Sequence, residues 1–189
     1  MGPTTTRPGR NLGPRAAAGN RAALLAAARE IFAQDGIRAP LSAVSRRAGV
    51  GQGSLYRHFP DRIDLVVAVF EEQVEAVEAV AADRGARLAD LLGIVTRNAI
   101  DSTAFVDLVR SSTAPDARLR AFGTRVAAAL ATHLPAALAA GEVRQELSER
   151  DLLLAVSMVA TAVTHVAEDE RVAVASRAWE LLGIEVRLP

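Results

Sequence analysis

Cysteine and lysine are both absent from the 189 residues, and aromatic side chains are sparse: one tryptophan, one tyrosine and five phenylalanines. Without cysteine there is no disulfide framework and no thiolate metal site. Without lysine there is neither a phosphate-gripping Walker lysine nor a Schiff-base amine, so the closely spaced Gly49, Gly51 and Gly53 are not a nucleotide loop. Neither HExxH nor GxSxG occurs, and His165 with Glu168 is an isolated pair rather than a metal set. The chain therefore reads as a non-enzyme with no cofactor and no metal. No apolar run approaches the ~20 residues of a membrane span, which predicts a cytoplasmic protein with no membrane partner. No sign of charge is in excess either, with 22 basic residues against 22 acidic ones.

What is present is a half-hydrophobic composition rich in Ala, Leu and Val, which predicts an all-α protein with ample core. Residues 1–19 hold Pro3, Pro8, Pro14, four glycines and three arginines with scarcely a large apolar side chain, the composition of a disordered basic tail. A first helix is predicted from Asn20 or Arg21 to about Gln34, with Leu24, Ala28, Ile31 and Phe32 on one face and Gly36 ending it. Asp61 and Asp64 form a capping pair for a later helix that repeats Leu65, Val66, Val69, Phe70, Val74 and Val77 at helical spacing. Asp83-Arg84-Gly85 breaks it. Leu88, Leu91, Leu92 and Val95 open the next helix, and Asp101-Ser102 marks a junction before Phe105, Leu108 and Val109.

Ala48 to Phe59, AGVGQGSLYRHF, is the most informative stretch. It follows a short helical run, Leu41 to Arg47, and Gly49 supplies the open backbone of a tight interhelical turn, with Val50 as an apolar plug. From Gln52 to His58, Gln52, Ser54, Tyr56 and Arg57 point outward while Leu55 pins the element inward beside Val50 and Phe59. An exposed amide, phenol and guanidinium on a short helix are the chemistry that reads base edges and phosphates. Charge supports this independently. Through Arg62 there are ten arginines against Glu30, Asp35 and Asp61, a net of +7, which leaves −7 on the remainder. A basic end on an acidic body suits double-stranded DNA as a partner.

From about Asn20 to Glu71 the chain resembles the N-terminal domain of the tetracycline-repressor (TetR) family of bacterial regulators. The likeness rests on EIFAQDGI at the end of the first helix, the AGV turn, LYRHF, and the acid-arginine pair Asp61-Arg62 opening the next helix, in that order and spacing. It implies phosphate contacts from Tyr56, His58 and Arg62, with base contacts at the start of the recognition helix. Gln52, Ser54 and Arg57 are the leading base readers, Gly53 allows close backbone approach, and Arg46 is a further phosphate contact. His58 is equally suited to a hydrogen bond within the domain. Two departures stand out: Gly51 replaces the usual Ser or Thr cap of the recognition helix, and Ala39-Pro40-Leu41 occupies the place of a phosphate-binding threonine, for which Ser42 partly substitutes. The basic tail reads either as an arginine arm along DNA or as a loose terminus. MGPTTT matches the bare N-myristoylation pattern, which Pro3 and the bacterial resemblance discount.

The predicted organisation is a tail (1–19), a three-helix helix-turn-helix domain (20–66) and a helical effector-binding and dimerisation domain (67–185). After SSTAPD, residues 111–116, a long helix carries Leu119, Phe122, Val126, Leu130, His133 and Ala137 on one face, with Pro135 expected to bend or break it. Beyond a polar loop, a helix from about Glu149 to Val166 has two apolar faces. Leu152, Val156, Val159, Val163 and Val166 form one; Leu154, Met158, Thr161 and His165 lie roughly opposite. The last helix, about Asp169 to Leu182, adds Val172, Ala175, Trp179 and Leu182. The resemblance implies that these closing helices build a homodimer interface, expected at Leu152, Val156, Val159, Val163, Val172, Ala175, Trp179 and Leu182; the alternative is a complete monomer core. It also implies a pocket for a small-molecule effector, expected at Phe105, Phe122, His133, Met158, Thr161 and His165. The resulting functional expectation is a dimeric repressor released from a palindromic operator by an effector, against a helical adaptor or ligand-binding protein that does not act through DNA.

Overall fold

The computed structural model describes residues 14–111 and 116–188, and every regular element among them is helical. The order is α1 (Pro14–Asp35), α2 (Leu41–Arg47), α3 (Gln52–His58), α4 (Arg62–Ala82), α5 (Leu88–Asp101), α6 (Thr103–Ser111), α7 (Ala117–Ala139), α8 (Glu149–Val163), a single 3-10 turn (Glu168–Glu170) and α9 (Arg171–Leu181). The expected tail is corrected in part: residues 14–19 belong to α1, Pro14 fitting the first turn of a helix, where a missing N–H leaves no bond unmade. The remainder of that tail, four residues of the SSTAPD junction and the side chains of Leu108 and Val109 lie outside the described residues.

Local chemistry starts and stops these helices. The Asp61 carboxylate accepts the Asp64 N–H at 2.8 Å to open α4. Ser148 and Asp151 form a reciprocal capping box for α8, with Asp151 N–H to Ser148 Oγ at 3.2 Å and Ser148 N–H to Asp151 Oδ2 at 3.1 Å. α2 ends where Gly49, at φ +66°, lets Gly49 N–H reach the Arg46 carbonyl and Val50 N–H the Ser45 carbonyl, at 3.2 and 3.0 Å. α7 runs through Pro135 without a break, which removes one of the two outcomes expected of that proline. The proline falls in the helix's closing turns, just before the chain leaves at Gly141, so the one backbone bond it removes is supported by packing of Leu134 and Ala137 on either side.

Two apolar clusters hold the molecule together. The first joins α1 to α4 through Leu24, Phe32, Val44, Leu55, Phe59, Leu65 and Val69, and takes in Leu119 and Phe122 from α7. The helix-turn-helix head is thus completed by a helix of the body. The second cluster gathers Leu91, Leu92, Leu130, Leu152, Val159, Val163 and Trp179 from α5, α7, α8 and α9. Its polar centre is satisfied: Trp179 donates its indole N–H to Thr96 Oγ1 at 3.0 Å, and Thr96 in turn donates to the Leu92 carbonyl at 2.7 Å. The segment after α9 lies over α5, where a Cβ on Gly93 would come within 2.6 Å of the Arg187 carbonyl oxygen. Only a glycine admits that approach.

Candidate nucleic-acid interface

α3 presents its polar side outward because its one fully buried residue, Leu55 at 1% exposure, anchors it to the head core. Gln52, Gly53, Tyr56 and Arg57 are exposed, Tyr56 at 52%. Leaving a phenol that size in water on a helix that buries its other face costs hydrophobic stabilisation, which a surface with no partner does not require. α3 begins at Gly51 with no side-chain cap, so its first N–H groups remain available to an acceptor. Arg46 is exposed, whereas Arg47 is occupied by an ion pair with Glu30 of α1, its Nε at 2.7 Å from the carboxylate.

The remaining expected contacts are more constrained. Arg57 folds back along α3, donating to the Gly53 carbonyl at 3.2 Å and to Ser54 Oγ at 2.6 Å, so these two side chains form a preset pair. Arg62 donates from Nη1 to the carbonyls of Ile37 and Ala39, both at 2.6 Å, and so braces the α1–α2 connection against α4. Ser42 is half-buried and its carbonyl accepts the Ser45 hydroxyl at 3.1 Å. Pro40 precedes α2 as its cap residue, in extended conformation. His58 is half-buried with its ring 6.3 Å from that of Phe59, whose face also carries the Arg21 guanidinium at 5.4 Å.

Sequence reasoning passed over Arg118, which fastens this head to the body. From the first turn of α7 it meets Asp64 at 2.5 Å and Asp61 at 2.9 Å, both at the start of α4, and Asp116 at 2.9 Å. Its hydrogen bonds hold the Asp61 carboxyl below the ordinary range and draw Asp116 down to about 2. Further along α7, Arg125 grips Glu78 through Nε and Nη2, both at 2.7 Å, and Glu71 at 2.6 Å. Asp116 apart, no sequence signal marks these partners, which are separated by roughly fifty residues of chain and meet only because α4 and α7 pack side by side.

The expected effector residues do not surround one cavity. Met158 is 52% exposed and Thr161 half-buried, on the outer side of α8 with Leu154, and His165, just past the end of that helix, is exposed. His133 is buried and donates Nε2–H to the Ala81 carbonyl at 2.9 Å, a tie between α7 and the end of α4. Phe122 is core, edge-on to Phe105 at 6.3 Å. Of the six, Phe105 lines the large cavity among the described residues, at the meeting of α1, α4 and α6. Of the expected interface residues, Leu152, Val159, Val163, Ala175 and Trp179 are buried in the protomer's own core, with Val156 and Leu182 packed against it, while Val172 is exposed. The outward large apolar residues of α8 and α9 are Leu153, Leu154, Met158, Val172 and Leu181.

Among the described residues no helix is long and apolar enough to cross a membrane, and no three His, Asp or Glu side chains are placed to hold a metal ion. Residues 24–69 match the family model described as bacterial regulatory proteins, tetR family. No curated protein matches the chain. Among solved structures, a TetR transcription regulatory protein from Mycobacterium vanbaalenii is 32% identical over 82% of this chain and 96% of its own, with a TM-score of 0.53. A TetR transcriptional regulator from Streptomyces coelicolor is 29% identical over 86% of this chain and 95% of its own, at TM-score 0.59. The S. coelicolor TetR-family protein CprB is 24% identical over 88% and 87%, at TM-score 0.67. With the head motif, the helical body and a relative of that identity aligned along nearly its whole length, the chain belongs to the TetR family of bacterial transcriptional regulators.

Proposed function

We propose that this TetR-type regulator acts as a homodimeric repressor that binds a palindromic operator and is released by a small molecule. The observation that carries the DNA reading is the pairing of a buried Leu55 with exposed Gln52, Tyr56 and Arg57 on one short helix, at the basic end of the chain. Tyr56, Arg46 and the open first turn of α3 supply phosphate contacts that set register; Gln52 and the Arg57–Ser54 pair supply base contacts. Arg62 and His58 act on phosphate while also holding the head together, and Ser42 adds a contact from the start of α2. The domains follow the same division: a head through about residue 66 and a body from residue 67 that couples to it through α4 and α7.

A single seven-residue helix offers too few base contacts for an operator, so the reading requires two heads held about one duplex turn, ~34 Å, apart. The exposed Leu154, Met158, Val172 and Leu181 on α8 and α9 support pairing of two copies through that outer face. Selection of bound duplexes from a random pool tests the function directly. A two-fold symmetric consensus whose binding falls steeply with salt is the expected result. Absence of any enriched duplex at low ionic strength, with a partner protein captured instead, favours the adaptor alternative.

A further inference from the structure

Arg57 stands in the last turn of α3, yet its guanidinium is held over the first. Nε donates to the Gly53 carbonyl at 3.2 Å and Nη2 to Ser54 Oγ at 2.6 Å, so the side chain runs back toward the start of the helix, the direction in which helical side chains lean. Both acceptors are neutral, which leaves the positive charge unspent; Arg47 of α2 is instead neutralised by Glu30. The two bonds use the side of the planar guanidinium that carries Nε. Its far end, where Nη1 and Nη2 each keep an N–H, is a fork of two parallel donors. Arg57 is exposed, and a Cβ on Gly53 would meet nothing within 4 Å, so this stretch of α3 is open to close approach.

A donor fork selects its acceptor. In the major groove guanine presents two neighbouring acceptors, O6 and N7, whereas adenine sets an amino donor beside N7, thymine a single carbonyl beside a methyl, and cytosine a donor. Phosphate oxygens also take a fork, and position decides between the two. The first turn of a recognition helix is the part that meets base edges, and the fork is held there. A free arginine gives up rotamer freedom on contact; one already tied to Gly53 and Ser54 has given up much of it before DNA arrives. We infer that Arg57 reads a guanine in each half of the operator, end-on through Nη1 and Nη2 to O6 and N7, and that Ser54 is a positioning residue that holds the fork. This rests on the reading of the chain as an operator-binding regulator, and names the base that its recognition helix requires.

Selection of bound duplexes from a random pool, carried out with the full native chain and with Arg57→Ala, Ser54→Ala and Ser54→Thr, tests the assignment. The native consensus is expected to hold a guanine in each half that becomes any base with Arg57→Ala, while the other positions persist. Replacing that guanine by 7-deazaguanine, which keeps O6 and lacks the N7 acceptor, weakens binding by the native chain about tenfold and binding by Arg57→Ala not at all. Ser54→Ala keeps the guanine but lowers its preference over adenine about fivefold, and Ser54→Thr, with the hydroxyl restored, returns that preference to the native value. No guanine position that relaxes with Arg57→Ala, native binding indifferent to 7-deazaguanine, or an unaltered preference with Ser54→Ala overturns the proposal. So does an affinity that Arg57→Ala lowers uniformly across all duplexes, the mark of a phosphate contact. An enriched consensus without this guanine removes the contact and leaves the regulator standing, whereas no enriched duplex at low ionic strength removes both.

Discussion

Tyr56 and Arg62, both proposed to meet DNA, sit at opposite ends of one question, how much of such a residue's effect is contact and how much is architecture. Tyr56 stands half in solvent on the outer side of α3, so Tyr56→Ala is expected to leave the melting temperature within about a degree while weakening operator binding about tenfold, the worth of one hydrogen bond to a phosphate. Arg62→Ala removes two bonds to the α1–α2 connection and so lowers both the melting temperature and the affinity. Parallel melts and gel shifts of the two variants check the contrast; equal effects on stability would refute the bracing role. Thr96 poses the same question inside the core. Thr96→Val keeps the shape but strips the acceptor from the Trp179 indole, an expected loss of about 1–3 kcal/mol measured by urea unfolding, whereas Thr96→Ser retains most of the stability. The donor-acceptor pair spans much of the chain, and no sequence pattern links the two residues.

Among elements, α4 and α7 decide whether head and body move together. Arg118 binds three carboxylates at the facing ends of these helices, and its chief hydrogen-bond partner, Asp116, titrates near 2 rather than at its ordinary 3.8. A carboxylate whose folded value is depressed contributes stability that is fully present above its unfolded value and is lost as pH falls through the folded one. Asp61, also lowered, acts in the same sense. The difference in urea midpoint between the native chain and Arg118→Ala is therefore expected to be constant above about pH 5 and to shrink between about pH 4 and pH 2. Because all four side chains are partly solvated, about 0.5 M NaCl also shrinks it. A midpoint difference that ignores both acid and salt would mean that Arg118 acts by packing alone. Helix limits were more accessible to sequence reasoning than these ties: α2 and α3 fall where Gly49, Gly51 and Leu55 require, because caps and turns are made by residues within a few positions of one another.

At the level of the molecule, the proposed dimer rests on the outer face of α8 and α9. Leu154 and Met158 are more than half exposed and one turn apart, the kind of apolar pair that a second copy would cover. Leu154→Glu with Met158→Glu is expected to give a monomer by light scattering with an unchanged helical signal, and to lose cooperative operator binding. Leu152→Glu, by contrast, places a charge at a 1% exposed position and is expected to unfold the body. A double variant that stays dimeric rejects this face as the contact. Arg46→Ala, in an intact dimer, should flatten the salt dependence of operator binding by about one unit of slope for each phosphate that the arginine no longer neutralises.

Composition, periodicity and capping residues settled that the chain is helical, that a turn at Gly49 joins α2 to a short helix anchored by Leu55, and that positive charge gathers at that end, since each of these is a property of neighbouring residues. The two apolar stripes of α8 were equally visible, but helical spacing fixes only their angle about the axis. Which stripe turns inward depends on where α5, α7 and α9 lie, and the packing buried Leu152 and Val159 and left Leu154 and Met158 in solvent. The same holds for the cavity. Phe32, Phe70, Phe105 and Arg171 come from four separate parts of the chain, and only the meeting of head and body in three dimensions brings them to one lining.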